Sequence, residues 1–123
     1  MSLFCVELTF SRKEADGTEI TSDQAQLITQ KILEVFAEKF GGARAYTACG
    51  SYKTDSGEIL LGSSTTVLSY TKTLGDSLPE LRLLAAHVAA MLEQESVLLI
   101  ITEPKGDMHW IPPDLLYDYI KNN

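Results

Sequence analysis

Two helix-periodic windows alternate with four runs of strand-forming residues along this chain, in the order strand, helix, strand, strand, helix, strand. No other feature restricts the fold as much. Each helix carries one apolar stripe that must be buried, and sequential elements usually pack beside one another.

The first run, Leu3 to Phe10, alternates with a period of two. Phe4, Val6, Leu8 and Phe10 share one face, which reads as core, whereas Leu3, Cys5, Glu7 and Thr9 share a mixed face. Arg12-Lys13-Glu14 and Asp16-Gly17 then break the pattern as a solvated turn. Thr21 and Gln24 have the spacing of a capping box. Behind them Ala25, Ile28, Ile32, Val35, Phe36 and Phe40 recur every three or four residues, opposite Gln26, Gln30, Lys31, Glu34 and Glu38. Gly41-Gly42 supplies a left-handed stop.

Ala43 to Tyr52 and Glu58 to Lys72 read as strands joined by Lys53-Thr54-Asp55-Ser56-Gly57, which is turn chemistry. Gly62-Ser63-Ser64 interrupts the second strand and predicts a bulge or a longer hairpin arm. Ser77 and Glu80 suggest a second capping box, with Pro79 in the first turn and Leu81, Leu84, Ala85, Val88 and Leu92 as the buried stripe. Val97 to Ile101 is apolar on both sides, as a strand covered on both faces would be.

These elements predict an α+β domain of ferredoxin-like type, the split β-α-β (βαββαβ). Its four-stranded antiparallel sheet has both helices on one face. The chain reads as a single domain, 1–123, with a core over 1–103 and a C-terminal extension over 104–123. Pro113 near the start of Leu115 to Ile120 predicts a short helix in that tail.

Composition excludes several functions. Asp and Glu outnumber Lys and Arg 17 to 10, and the net charge of −7 opposes phosphate backbones and anionic membranes. No run of residues is long and apolar enough to span a bilayer, and residues 1–10 lack the features of an export signal, so a cytoplasmic location is expected. Two cysteines, Cys5 and Cys49, are too few for a disulfide scaffold, and burial as small hydrophobes is their favoured reading. No spacing suggests a metal site, and no cofactor is expected. Iron–sulfur binding, metal-chaperone, RNA-recognition, acylphosphatase and tautomerase roles of related folds all lack their required residues here. Serines are plentiful but no nucleophile elbow is present, so no catalytic residue is assigned.

Gly42 to Tyr52, Gly57 and Gln94-Glu95-Ser96-Val97-Leu98 give the chain a resemblance to a family of small bacterial domains of unknown function. Its members show a Gly-x-aromatic pair (here Gly50-Ser51-Tyr52), a turn glycine and a Gln-Glu-Ser-Val step into the last strand. This chain has Tyr52 where that family has tryptophan, and it adds the tail after Pro104. The resemblance implies the fold and no activity.

A sheet with both helices on one side leaves its other face bare. Leu3, Cys5 and alternate residues of Val97 to Ile101 are too apolar for that face to be left to water, which predicts a homodimer with the tail contributing. Tyr52, Tyr70, His109 and Trp110 are the candidate ligand or partner residues. Asp107 two residues before His109 suits an oriented imidazole, whereas Trp110 suits an anchor pinning the tail to the sheet. His87, beside Val88, reads as a structural or surface histidine. Two functions remain. The favoured one is a non-enzymatic homodimer that binds a peptide or small apolar molecule on its sheet face and aromatic tail. The alternative is a small enzyme of the dimeric αβ-barrel type, with His109 or a buried tyrosine such as Tyr70 as acid or base.

Overall fold

The computed structural model describes residues 3–14, 16–94, 97–103 and 120–121. Its elements are β1 (Phe4–Ser11), α1 (Ser22–Phe40), β2 (Arg44–Lys53), β3 (Ile59–Thr71), α2 (Ser77–Met91) and β4 (Leu98–Thr102). The sheet runs β2-β3-β1-β4 with every neighbouring pair antiparallel, which is the ferredoxin-like arrangement expected. His109, Trp110 and most of the expected tail helix lie outside the described residues; Ile120 and Lys121 are helical.

One face of the sheet makes the core. Val6, Leu8 and Phe10 of β1 share that face with Val67 of β3 by register. They meet Ala25, Ile28, Ile32 and Phe36 of α1 and Leu81, Ala85 and Val88 of α2 in one buried cluster. Leu99 and Ile101 of β4 pack against its edge. Each large side chain taken out of water here contributes roughly 1.5–3 kcal/mol before entropy is counted.

Local chemistry sets the helix ends differently. Thr21 accepts from the Gln24 backbone while the Gln24 side chain accepts from the Thr21 N–H, so the first capping box forms as its spacing predicts. Gly41 closes α1 at φ 89, its N–H donating to the Ala37 carbonyl. The second box does not form. The Ser77 N–H donates to the Leu74 carbonyl in a turn through Gly75, at φ 51, so Ser77 already belongs to the helix. Asp76 takes the cap position at φ −86, ψ 10, outside the extended region from which a cap side chain reaches back, and makes no side-chain cap bond. At the far end Glu93 adopts φ 51, the left-handed slot that glycine fills on α1. The Gln94 side-chain amide then donates to the carbonyls of Ser11 (2.5 Å) and Lys13 (3.2 Å), fastening the exit of α2 to the loop after β1.

The interruption at Gly62-Ser63-Ser64 resolves as a long hairpin arm. Pairing of β2 with β3 keeps one register from Arg44↔Leu68 through Gly50↔Gly62 to Lys53↔Ile59, with no slipped residue. Pairing of β1 with β3 ends at Ser11↔Ser64, so the arm runs on past β1 as a two-stranded ribbon. Its turn holds as expected: Gly57, at φ 89, donates to the Thr54 carbonyl, and the Glu58 N–H donates to the Thr54 hydroxyl.

Edge strand β2 is bare. Arg44 to Ser51 is exposed throughout, although Ala45, Thr47 and Cys49 lie on the helix side of the sheet. Among the described residues the helix layer covers β3, β1 and β4 and leaves β2 open on both faces. Cys49 is therefore exposed, against the expected burial, and Cys5 is half-buried; both thiols are free.

Candidate functional site

The register of the strands lays out the face away from the helices row by row. Tyr70, Cys5 and Thr102 form one row. Arg44, Leu68, Glu7 and Ile100 form the next, followed by Tyr46, Thr66, Thr9 and Leu98. Ala48, Ser64 and Ser11 come after these, and the paired glycines Gly50 and Gly62 lie on the ribbon beyond.

Leu68, at the centre, is only 5% exposed, whereas Leu98 on the edge strand is 55% exposed and Ile100 is 38% exposed. The face thus offers bare apolar surface along its β4 edge, beside a buried middle. Single charges stand on either side of Leu68: Glu7 on β1 and Arg44 on β2. Both reach Cys5. Its thiol is pushed above the usual value first by burial and then by Glu7, while Arg44 acts in the opposite sense. Thr9 and Thr66 share a hydroxyl–hydroxyl hydrogen bond of 2.6 Å across the strands.

Where the face runs out onto the ribbon, a groove of about 380 Å³ opens between Thr9, Ser11, Gly50, Ser51, Gly62, Ser63, Ser64 and Leu98. It exists because Gly50 and Gly62 are directly opposite one another and leave a gap in the side-chain layer. A Cβ built at either glycine meets nothing within 4 Å. Hydroxyls line the groove, with Leu98 as apolar wall. Its size falls in the range of small-molecule sites.

Of the candidate residues, the two described ones, Tyr52 and Tyr70, do not converge. Tyr70 lies on the open face but is 36% exposed in the single chain, so enclosing it requires a second layer over the sheet. Tyr52 pairs with Leu60 near the ribbon tip. Ten residues of β3 separate Leu60 from Tyr70, about 33 Å at strand rise. His87 is exposed on α2. Among the described residues no group of three or more His, Cys, Asp or Glu side chains is placed to hold a metal ion.

Sequence reasoning passed over Gly50 and Gly62 as a pair. Counting outward from the Asp55-Ser56-Gly57 turn in a bulge-free register would have set them opposite each other.

No family model matches this chain, and no curated protein does. Solved structures share its fold. A phage SAM lyase in complex with S-methyl-5'-thioadenosine is similar at a TM-score of 0.57 and 17% identity, over 82% of this chain and 81% of that one. The apo state of a phage SAM lyase gives 0.53 and 15%, over 83% and 81%. The periplasmic divalent cation tolerance protein CutA from Archaeoglobus fulgidus gives 0.52 and 13%, over 98% and 96%. Identities this low speak for the fold alone. Among the described residues no helix is long and apolar enough to cross a membrane.

Proposed function

We propose that the chain works as a homodimer joined through its open sheet face, and that the groove at the base of the ribbon binds a small molecule. The observation that carries this reading is the arrangement around Leu68. Glu7 and Arg44 flank it with opposite charge, and the bare apolar side chains of Ile100 and Leu98 lie one strand beyond Glu7 on β4. A two-fold axis near Leu68 sets Glu7 of each copy toward the other copy's Arg44, the self-complementarity an isologous interface needs. The groove's mixture of hydroxyls and Leu98 suits a molecule with an apolar body and hydrogen-bonding groups. The likeness to a SAM lyase holding S-methyl-5'-thioadenosine supplies one such molecule as a probe. Two free thiols fit a reducing, cytoplasmic location.

Light scattering of the purified chain tests the interface. The expected mass is that of two copies, falling to one copy in Ile100→Asp. A single-copy mass in the unaltered chain overturns the reading, whereas a mass above two copies keeps the face and replaces the pairing. Thiol labelling gives an independent measure. Cys5 lies on the open face and Cys49 on the other side, so dilution should speed modification of Cys5 and leave Cys49 unchanged. Gly62→Val tests the groove: it fills open space at a backbone position free of positive φ, and should abolish ligand-induced thermal stabilisation while leaving the dimer intact.

A further inference from the structure

On the helix side of β2 the structure holds a second concavity, a cleft of about 450 Å³ between α1 and the exposed edge strand. Its origin is steric. Ala25 and Thr29 of α1 face it together with Ala45 and Thr47 of β2 and Thr65 of β3, and side chains this small leave the space between helix and sheet unfilled. Arg12 closes one end. The alternation that makes Phe4, Val6, Leu8 and Phe10 a core stripe continues to Arg12, whose backbone N–H still bonds β3 at the Ser63 carbonyl (3.1 Å). The core stripe of β1 therefore ends in a guanidinium.

That guanidinium is half-buried and poorly used. Of the donors an arginine carries, one amino group reaches the Ile20 carbonyl at a long 3.4 Å, and Nε is buried without a partner among the described residues. No ion pair to Arg12 exists among them either. None of the described residues lining the cleft is acidic, in a chain with 17 Asp and Glu. The rest of the lining brings neutral donors, namely the amides of Gln26 and Gln30 and the hydroxyls of Ser22, Thr47 and Thr65. A half-buried positive charge with no counter-charge among the described residues, surrounded by neutral donors, is an arrangement made for an oxyanion.

We propose that this cleft binds the phosphoryl group of a small phosphate ester, with Arg12 as its charged anchor. A phosphoryl group matches the guanidinium fork and has oxygens left for the surrounding amides and hydroxyls. The cleft's volume far exceeds that of phosphate alone, which leaves room for the esterified part.

Calorimetric titration of the full chain with ribose 5-phosphate, inorganic phosphate and acetate, at matched ionic strength, tests the assignment. Ribose 5-phosphate should bind most tightly, inorganic phosphate more weakly and acetate not measurably. Arg12→Gln should weaken the ester by at least about tenfold, the loss expected for charge-assisted hydrogen bonds. Amide chemical-shift mapping on the unaltered chain keeps the test independent of how that variant folds. Shifts should centre on Arg12, the first two turns of α1, and Thr47. Unchanged affinity in Arg12→Gln, acetate binding equal to phosphate, or shifts centred on Gly50 and Gly62 would each overturn the proposal.

Discussion

Strands β1 and β2 belong to one sheet and are built on opposite principles. Four large apolar residues alternate along β1, helices cover one side of it, and strands pair with both of its edges. Along β2 the helix-side positions carry Ala45, Thr47 and Cys49, and among the described residues no helix covers them and one edge has no partner strand. The first strand holds the fold together; the second presents surface. Both grooves follow from that division, since each is bounded by β2 and each exists because side chains there are small or missing.

Substitutions along the two strands should separate these roles most sharply. Leu8→Ala removes a fully buried side chain at the middle of β1 and should cost about 2–5 kcal/mol in urea denaturation. Thr47→Ala, at an exposed position of β2, should stay within about 0.5 kcal/mol. Equal losses would erase the distinction. The helix starts offer a second contrast. Thr21→Ala breaks a formed capping box and should cost about 1 kcal/mol, whereas Ser77→Ala removes no cap bond and should cost a few tenths.

Thiol chemistry sharpens the comparison at smaller scale. Burial and Glu7 raise the Cys5 thiol, so its thiolate fraction at a given pH is lower than that of an unperturbed thiol. Alkylation of Cys5 in a Cys49→Ser chain should still be climbing at a pH where a simple thiol has levelled off. Glu7→Gln should bring that rise to lower pH.

The smallest effect concerns the loop after β1. Glu14 is held above the usual carboxylate range by local desolvation and by the nearby Glu93 and Asp16. A raised folded-state value means that ionising Glu14 disfavours the fold once the pH is above the carboxylate range. Glu14→Gln should therefore raise the melting temperature slightly at neutral pH. The gain should fade as the pH falls through that range and the unaltered side chain becomes protonated.

Much of this was legible in the sequence where one signal dominated. The alternation in β1, the Thr21–Gln24 box, the Gly41 stop and the turn at Gly57 each rest on local chemistry, and each stands in the structure as its residues predict. The second helix start was less legible, because Gly75 and the Leu74–Ser77 turn decide the geometry and the Ser77–Glu80 spacing does not. The bareness of β2 was harder still. Small residues at alternate positions read equally well as a strand under a close-packed helix, and only the placement of α1 decides between the two. Arg12 was visible as one more step in the β1 alternation, yet its neighbours Lys13 and Glu14 made it read as part of a solvated turn.

The position of β1 also has a kinetic consequence. It pairs with β3 on one edge and with β4, the last of the described strands, on the other, and the Gln94 side chain fastens its exit loop. During synthesis on a ribosome β1 must wait for β4, made about ninety residues later, before both of its flanks are satisfied. A nascent chain stalled before residue 98 should remain protease-sensitive across the whole of the sheet, and release of the remainder should protect all four strands in a single step.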